Sequence, residues 1–352
     1  MASDKLKPQF ISILKKEINL QKDYLANKQI NTIYLGGGTP SLFNARELSG
    51  ILEEIYANFN VSADVEITLE ANPDDVSESW VKQISQTGIN RISLGVQSFF
   101  DEDLAYLKRV HNAADAENAI HRLQDTGISN ISIDLIYGIP TLKDEKWTGN
   151  LEKFLSFDIP HLSAYALTVE EKTALHVLIK KKKIISPDDD MIAEQFNVLL
   201  SMTTEKGYVH YEISNFAREG FYSKHNSLYW TGGHYLGLGP SAHSYNGSSR
   251  RWNKPSMKAW LSLLEYYGES FEEEVLSTDQ RYNEYVMTSL RTVWGCDIDL
   301  VRQEFGEQYA SNLLKGASKY IGEESLVLKG NRLFLTTKGK LFADGIASGL
   351  FA

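Results

Sequence analysis

Three consecutive glycines, at 36–38, directly follow a short apolar segment at 31–35 and precede a threonine and a proline. Glycine loses more conformational freedom on folding than other residues and adds no packing, so three in a row at a strand end indicate that something needs bare backbone there. A ligand lying against the strand end would reach the main-chain N–H and C=O groups. The glycines alone leave open a plain flexible turn between a strand and a helix.

Polar side chains also stand at the ends of the strands that follow. Glu70 and Gln97 each come at the carboxyl end of an apolar segment, and Asp134 lies inside one, where a carboxylate without a partner is costly. Taken singly, each fits a helix cap, a surface carboxylate or an ion pair in a barrel wall better than a ligand site. Taken together they favour a ligand site, because in β/α barrels several strand ends build the site at one face.

A regular alternation of strands and helices must position these residues. Such a repeat predicts a parallel sheet with right-handed crossovers. The predicted strands are 31–35, 64–69, 90–96, 130–136 and 161–167. The predicted helices are 4–27, 44–58, 77–87, 101–108, 112–126 and 144–156.

The pattern changes after residue 170. A long helix at 187–206 and a sixth strand at 208–217 precede a segment rich in histidine, aromatic residues and glycine at 225–245. That composition suits a close wall around a flat ligand better than a plain connector.

From about residue 255 the periodicity is helical, apart from one hairpin. The predicted elements are helices at 256–267, 278–293, 297–318 and 337–350 and the hairpin at 326–335. This arrangement resembles a winged-helix module without a basic recognition helix, so we expect a packing or interaction domain. The sequence therefore predicts three parts, at 1–170, 171–250 and 251–352.

The composition excludes several classes of protein. The 352 residues carry a net charge of −10 and no basic stripe with interleaved aromatic residues, which argues against a nucleic-acid-binding surface. No apolar segment approaches the roughly 20 residues that cross a bilayer, and no secretory signal stands at the start, so we expect a cytoplasmic protein. The single cysteine, Cys296, excludes an internal disulfide and any site built from several thiolates within these residues.

These motifs, in this order and over nearly the whole length, resemble the radical S-adenosylmethionine enzymes. The resemblance implies an α/β fold, a partial (β/α)6 TIM-like barrel lacking its first strand, with a C-terminal helical, winged-helix-like domain. It implies that the glycine motif grips the methionine amino group of S-adenosylmethionine, that Glu70 and Asp134 hold ribose or methionine groups, and that Arg109 faces a carboxylate. The implied cofactor-binding residues are Gly37, Gly38, Thr39, Pro40, Glu70, Gln97, Arg109, Asp134 and Thr168.

Within that family the likeness is to the branch of oxygen-independent coproporphyrinogen III oxidases and related haem chaperones. The segments 212–217 and 225–230 resemble the chaperone side. By that likeness the residues that handle haem are His225, Asn226, Tyr229 and Trp230. An imidazole is a good axial ligand for haem iron, and aromatic rings pack on the macrocycle. Chemistry alone favours His225 as a hydrogen-bonded structural histidine with aromatic core neighbours. With the family likeness, haem contact becomes the favoured interpretation. His243 and Cys296 are weaker alternative ligands.

The resemblance implies a haem chaperone that hands haem to an acceptor protein. The alternative is an enzyme that decarboxylates a porphyrinogen. An enzyme of that kind must recognise several propionates, which calls for several Arg or Lys side chains at the barrel mouth. Few basic residues stand at the strand ends here, Arg109 being the main one, and this favours the chaperone.

One family element is missing from these residues. The family holds a four-iron four-sulfur cluster on three cysteines spaced C-x3-C-x2-C in a loop before the glycine motif. We expect the chain as written to be catalytically inactive, and a longer parent or an upstream start to supply the first strand and the cysteines. The strand at 31–35 then lacks a neighbour, which predicts an edge open to a second copy of the chain.

Overall fold

The computed structural model of the protein describes residues 6–27, 29–169, 174–181 and 184–352. Most of the chain falls into two compact units. Unit 1 consists of the chain up to Ile33, Arg46–Val65 and Ser223–Ala352, and unit 2 consists of Tyr34–Ala45 and Glu66–Tyr222. The three-part division at residues 170 and 250 stays a prediction.

A seven-stranded sheet carries the predicted ligand residues. Its strands are β1 (Gln29–Leu35), β2 (Asn60–Ala71), β3 (Arg91–Gln97), β4 (Ile131–Tyr137), β5 (His161–Ala166), β6 (Val209–Glu212) and β7 (Asn215–Ala217). Hydrogen bonds join them in the order β1-β2-β3-β4-β5-β7-β6. The β2–β3, β3–β4 and β4–β5 pairs are parallel, and β7 is antiparallel to both β5 and β6. The five strands predicted before residue 170 are present, and β1 stands at one end of the sheet, as predicted.

Helices alternate with these strands. They are α1 (Lys7–Leu20), α2 (Ala45–Asn58), α3 (Glu78–Ile84), α4 (Asp101–Tyr106), α5 (Ala113–Asp125), α6 (Asp144–Ser156), α7 (Ala174–Lys180) and α8 (Asp189–Glu205). The helix predicted over 4–27 is wrong at its C-terminal end. The helix α1 ends at Leu20, and Leu25 is buried in the bent segment that follows it. Its first residues, 4 and 5, lie outside the described part. None of the helices described is long and apolar enough to cross a membrane.

The strand predicted over 208–217 is wrong in one respect, since it consists of two strands that fold back on each other. The Glu212 carboxylate accepts hydrogen bonds from the backbone N–H of Ser214, at 3.1 Å, and from the side-chain amide of Asn215. A carboxylate that binds donors just beyond its own position stabilises a turn. The chain therefore reverses where alternation alone predicted continuity.

Unit 1 contains two small antiparallel sheets. One consists of β8 (His243–Tyr245), β9 (Ser249–Asn253) and β10 (Phe271–Val275), and the other of β11 (Cys296–Asp297), β12 (Leu326–Lys329) and β13 (Arg332–Leu335). The helices of this unit beyond residue 222 are α9 (Lys224–Trp230), α10 (Met257–Tyr266), α11 (Thr278–Leu290), α12 (Ile298–Phe305), α13 (Glu307–Gly322), α14 (Thr337–Lys340) and α15 (Ala343–Ser348). The hairpin predicted at 326–335 is confirmed as β12–β13.

One strand of this region was missed, and two predicted helices are wrong in detail. The strand β10 lies between the helices predicted at 256–267 and 278–293, and its glutamates pair with Arg251 and Lys254. The helix predicted over 297–318 divides at Gly306, whose φ of 103° is incompatible with a helix. The last predicted helix divides at Phe342, which leaves the helical conformation with φ −121° and ψ 24°.

Glu17 fixes α1 to the glycine-rich segment within unit 1. Its carboxylate, 2% exposed, accepts hydrogen bonds from the backbone N–H of Gly239 at 2.7 Å, the Asn253 amide at 2.7 Å and the Trp260 indole at 3.3 Å. Burial raises the pKa of Glu17, and these three donors oppose that rise. A buried carboxylate with three donors is satisfied, so it orders the segment around it.

Candidate functional site

The glycine turn after β1 is built around Glu70 of β2. The Tyr34 hydroxyl donates to one oxygen of the Glu70 carboxylate at 2.7 Å, and the backbone N–H of Gly37 donates to the other at 3.0 Å. A Cβ added to Gly36 would lie 2.4 Å from the Tyr34 ring and 2.6 Å from the Glu70 carboxylate. All of the glycines at 36–38 are exposed. Glu70 therefore fixes the turn, and the glycine backbone beside it stays open to a ligand.

The turn ends in a buried anchor. Pro40 is buried and begins a short 3-10 turn, in which the backbone N–H of Leu42 donates to the Thr39 carbonyl at 3.1 Å. The Ser41 hydroxyl donates to Asp75 at 2.6 Å. These contacts hold the end of the glycine segment in place while its start is held by Glu70.

Asp134 of β4 stands in the same part of the sheet. The register places Glu70 beside Ser93, and the Ser93 hydroxyl lies 3.2 and 3.3 Å from the two oxygens of Asp134. Ser163 of β5 is the register partner of Asp134. Burial, assisted by the charge of Glu70, raises the pKa of Asp134 to about 6, against the lowering effects of Ser163, Arg91 and Ser93. The two carboxylates form a pair of acceptors for hydroxyl or ammonium donors.

The raised pKa of Asp134 predicts a pH-dependent stability. Because about 6 in the folded chain exceeds the ordinary 3.8, protonation favours folding, and this contribution is present below pH 4 and is lost as the pH rises through 6. We expect Asp134→Asn to raise the free energy of unfolding by about 1–3 kcal/mol more at pH 8 than at pH 4. Urea unfolding at both pH values measures this difference. An effect of the substitution that is equal at the two pH values would contradict it.

Gln97 and Arg109 meet over Gly95 of β3. A Cβ on Gly95 would lie 2.9 Å from Nε2 of Gln97 and 3.5 Å from Nη2 of Arg109. Gln97 has a φ of 68°, an uncommon conformation for a residue with a side chain. Arg109 donates to Oδ1 of Asn72 at 2.7 Å, and burial lowers its pKa while the charges of Asp74 and then Asp134 oppose that change. A guanidinium and an amide are thereby placed together at the end of β3.

The predicted cofactor residues lie at neighbouring strand ends. Ser93, the register partner of Glu70, hydrogen bonds to Asp134, and the charges of Glu70 and Arg109 both interact with that of Asp134. Thr168 is placed differently, since it is exposed and its hydroxyl donates to the Ala166 carbonyl of its own segment at 3.4 Å.

Four residues of this site were missed in the sequence. They are Tyr34, Asn72, Ser93 and Ser163. Tyr34, Ser93 and Ser163 alternate with apolar residues along their strands, and this period of two is the signal that could have placed them on the inner face. Asn72 stands two residues after Glu70, which puts both at the same strand end.

A second predicted group lies on α9 in unit 1. The Ser223 hydroxyl caps this helix by accepting from the backbone N–H of Asn226 at 3.2 Å. His225 is held at both ring nitrogens, with Nδ1 2.9 Å from the Thr32 hydroxyl and Nε2 2.9 Å from the Tyr229 hydroxyl. These contacts fit a hydrogen-bonded histidine, whereas the 39% exposure of Tyr229 does not fit a core aromatic residue.

Aromatic rings surround this helix. The Tyr229 ring packs edge-on against Tyr235 with centroids 4.6 Å apart, and two backbone hydrogen bonds of 2.9 Å join Tyr235 to Tyr245. Burial raises the pKa of Tyr229 to about 12. The Arg291 guanidinium lies over the Trp230 ring, 5.1 Å from its centroid. The result is a partly exposed aromatic surface with a cation against one ring.

Cys296 does not fit the role of an alternative haem ligand. It is fully buried on β11, and burial raises the pKa of its thiol to about 12. A metal ligand must be a thiolate that the metal can reach. The sequence offered no signal of this burial, since Cys296 stands between Gly295 and Asp297.

We expect Cys296 to resist thiol reagents in the folded chain. Because the thiolate is the nucleophile, burial and the raised pKa should slow labelling at least about a hundredfold relative to the urea-unfolded chain. The absorbance released from an aromatic disulfide reagent at neutral pH measures both rates. Comparable rates in the two states would show that β11 is open to solvent.

Comparison with known protein families gives two matches. The Radical SAM superfamily matches residues 5–153, and the HemN C-terminal domain matches residues 276–342. The first match includes the glycine turn, Glu70, Gln97, Arg109 and Asp134, and the second includes the β12–β13 hairpin.

Individual relatives match over nearly the whole chain. The heme chaperone HemW of Bacillus subtilis (strain 168) is 31% identical over 344 residues, which cover 96% of this chain and 90% of the relative. The heme chaperone HemW of Mycobacterium tuberculosis (strain ATCC 25618 / H37Rv) is 32% identical over 340 residues, covering 96% and 85%. Coproporphyrinogen III oxidase (HemN) from Escherichia coli, a radical SAM enzyme, matches in structure with a TM-score of 0.85 at 20% identity, covering 100% of this chain and 85% of that chain. This structural likeness confirms the predicted fold class.

Proposed function

The chain belongs to the radical S-adenosylmethionine family, in the group of the heme chaperone HemW, and from this premise we propose that it binds S-adenosylmethionine in unit 2 and haem in unit 1. The observation that carries the proposal is the set of polar groups that converge around Asp134. The aromatic surface on α9 supports the proposed binding of haem in unit 1.

The residues of unit 2 fit a sulfonium nucleoside that carries an amino acid. Exposed glycine carbonyls suit an ammonium group, and the carboxylates of Glu70 and Asp134 suit the hydroxyls of a ribose. Arg109 supplies a cation for the carboxylate of the methionine part. Gly36 lacks the Cβ that would collide with Tyr34 and Glu70, so these two side chains lie close against the exposed glycine backbone.

The residues of α9 fit a large flat ligand. His225 offers an imidazole, and Tyr229 and Trp230 offer ring faces that are not fully buried. Arg250, over the Tyr245 ring at 5.9 Å, supplies a cation of the kind that binds propionates. A flat hydrophobic macrocycle with acidic side chains matches this combination of aromatic rings and guanidinium groups.

A four-iron four-sulfur cluster, which the family implies, does not fit the residues present. Such clusters take thiolate ligands, and these 352 residues hold a single cysteine, which is buried. The proposed function is therefore binding alone, and we expect no cleavage of S-adenosylmethionine by this chain. We further propose that the protein acts in the cytoplasm, that haem passes to an acceptor protein, and that the edge of β1 pairs with a second copy.

Two titrations on one preparation test the proposal. Haem binding is followed by the Soret absorbance and S-adenosylmethionine binding by calorimetry, and both are expected to saturate at one equivalent. A parallel assay of coproporphyrinogen decarboxylation is expected to show no turnover. Turnover would favour the oxidase of porphyrin synthesis, and binding of ATP as tight as that of S-adenosylmethionine would reduce the site to a general nucleotide pocket.

A further inference from the structure

Two buried polar groups on one face of the sheet in unit 2 lack hydrogen-bond partners. This face, which we call the inner face, carries Ser93 and Asp134, whose side chains contact each other. Because side chains alternate along a strand, Arg91 of β3 lies on the inner face with Ser93. Arg91 is 1% exposed, and Thr68 of β2 is 0% exposed. Among the residues that the structure describes, neither Nε of Arg91 nor the Thr68 hydroxyl has a hydrogen-bond partner.

These two groups are neighbours. Thr68 and Arg91 are register partners in the parallel β2–β3 pair, so their side chains stand on the same face of strands about 5 Å apart. The apolar residues that alternate with them, Leu69 and Ile92, are buried on the opposite face. Arg91 and Thr68 therefore form one polar patch inside the sheet, which we call the Arg91–Thr68 pair.

A buried guanidinium without a partner needs an explanation. The group carries a full charge and N–H donors but no acceptor, and arginine is almost never fully buried unless it is paired. Within the described part of the chain, no carboxylate forms an ion pair with Arg91. Its charge acts on Asp134 and His161 only from beyond that distance. Burial of such a cation is costly, so the site calls for an anion that the chain itself does not supply.

We propose that the Arg91–Thr68 pair binds the carboxylate of an organic acid on the inner face of the sheet. A carboxylate accepts two hydrogen bonds from one guanidinium, and the Thr68 hydroxyl can donate a further one. Its single negative charge balances the single charge of Arg91.

The surroundings favour a carboxylate over a phosphate. A phosphate group carries a charge of about −1.5 to −2 at neutral pH, so it would leave excess negative charge beside Glu70 and Asp134 on the same face. His161 does not offset that excess, because burial and then the charge of Arg91 lower its pKa well below the ordinary value and keep the imidazole neutral.

The patch is distinct from the proposed S-adenosylmethionine site. Arg91 precedes Gly95, over which Gln97 and Arg109 meet, by four residues of β3, which is about 13 Å along a strand. Arg109 already supplies a cation for the carboxylate of the methionine part. The carboxylate at Arg91 therefore belongs to a second ligand, and the inference goes beyond the proposed function.

Acetate is the probe, and nitrogen NMR of the chain labelled with 15N-arginine is the measurement. The Nε–H signal of Arg91 is identified by its loss in Arg91→Met. With a bulky sulfonate holding the ionic strength constant, we expect acetate to move this signal downfield until it saturates. Arg122 is the internal reference, because its Nη1 already donates to the Val76 carbonyl at 3.0 Å, and its signal should not move.

The hydroxyl of the pair is tested by Thr68→Val, which keeps the shape of the side chain. Acetate binding should weaken roughly three- to tenfold, the value of one hydrogen bond. Thr203→Val is the matched control, since it removes a buried hydroxyl that donates to the Leu199 carbonyl at 2.6 Å in α8, and it should leave acetate binding unchanged. Equal affinities in Thr68→Val and the natural chain would contradict the role of Thr68.

Three results of the titration would overturn the proposal. An Arg91 signal that does not respond would mean that water occupies the patch. A response confined to Arg109 would mean that acetate reaches only the proposed methionine site. Chloride or phosphate binding as tightly as acetate would mean that the patch does not select a carboxylate.

Urea unfolding gives an independent measurement. Because the unpaired cation destabilises the empty chain, Arg91→Met should unfold at a higher urea concentration than the natural chain without acetate. Acetate should stabilise the natural chain and not the variant. Arg122→Met, which loses its hydrogen bond to Val76, should be less stable with or without acetate. A less stable Arg91→Met would show that Arg91 is paired within the chain and would refute the proposal. If acetate binds at Arg91 and S-adenosylmethionine does not bind, the proposed function fails and this inference stands.

Discussion

Gly36→Ala is expected to abolish measurable S-adenosylmethionine binding and to destabilise the fold. The new Cβ would fall 2.4 Å from the Tyr34 ring and 2.6 Å from the Glu70 carboxylate, distances that real Cβ atoms do not adopt. Relief requires Glu70 to move away from the Gly37 N–H that it now binds at 3.0 Å. Overpacking of this kind costs about 1–3 kcal/mol, and loss of a charged acceptor costs a ligand roughly a further tenfold or more in affinity.

Gly345→Ala is the matched control for this prediction. Gly345 lies within α15, nothing stands within 4 Å of its Cβ position, and helical alanine is preferred over glycine. We expect the control to bind S-adenosylmethionine as the natural chain does and to be slightly more stable in urea. Calorimetry and urea unfolding measure both variants. Normal binding by Gly36→Ala would show that the arrangement of Tyr34, Gly37 and Glu70 is not needed by the ligand.

The parallel part of the fold could be predicted because burial on one face leaves a strong pattern. Strands β1 to β5 are apolar runs that end in glycine or polar residues, and each is separated from the next by a helical period. The end of α1 could not be predicted in this way. Leu25 continues the apolar spacing of α1 but is buried in the bent segment that follows the helix. Spacing alone does not distinguish a leucine buried on a helix from one buried on such a segment.

The second sheet of unit 1 escaped prediction for a different reason. Strand β10 contains three consecutive glutamates and is largely exposed, so its sequence shows neither the alternation of a strand nor the 3.6-residue period of a helix. Its stability comes from partners about twenty residues away, such as Arg251 and Lys254, that only the folded chain brings together. Propensity scales do not contain such cross-strand pairs.

In the candidate site, too, the residues that could be predicted are those whose position follows from their own segment of the chain. Glu70, Gln97 and Asp134 could be predicted because each stands at or near a strand end, and parallel strands end on the same side. The period of two could have placed Tyr34 and Ser163 on the same face of the sheet, but their partners could not be predicted, because these depend on the register between neighbouring strands. The pairing of Asp134 with Ser163 is a property of the β4–β5 register, which the sequence of either strand alone does not specify.

His225→Ala is expected to weaken haem binding at least tenfold and to shift the Soret band, whereas Tyr229→Phe is expected to strengthen binding. Both nitrogens of the His225 ring are occupied, by Thr32 and by Tyr229 at 2.9 Å each, so iron must displace one contact. Tyr229 is the partner that can leave, since it is 39% exposed and sits on the short helix α9, while Thr32 is part of β1.

The Thr32 hydroxyl then keeps the imidazole oriented through Nδ1, as partners of metal-bound histidines commonly do. Removal of the competing hydroxyl in Tyr229→Phe retains the ring for packing on the macrocycle and should raise haem affinity roughly three- to tenfold, because one hydrogen bond no longer has to be broken. His121→Ala, on the exposed face of α5, is the control for the loss of an imidazole and should leave the haem titration unchanged. A Soret titration of the four proteins decides the matter. If His225→Ala binds haem as tightly as the natural chain, His225 is not the iron ligand, and the exposed His243 is the next residue to replace. If Tyr229→Phe binds haem more weakly, the Tyr229 hydroxyl contacts haem and does not compete with it.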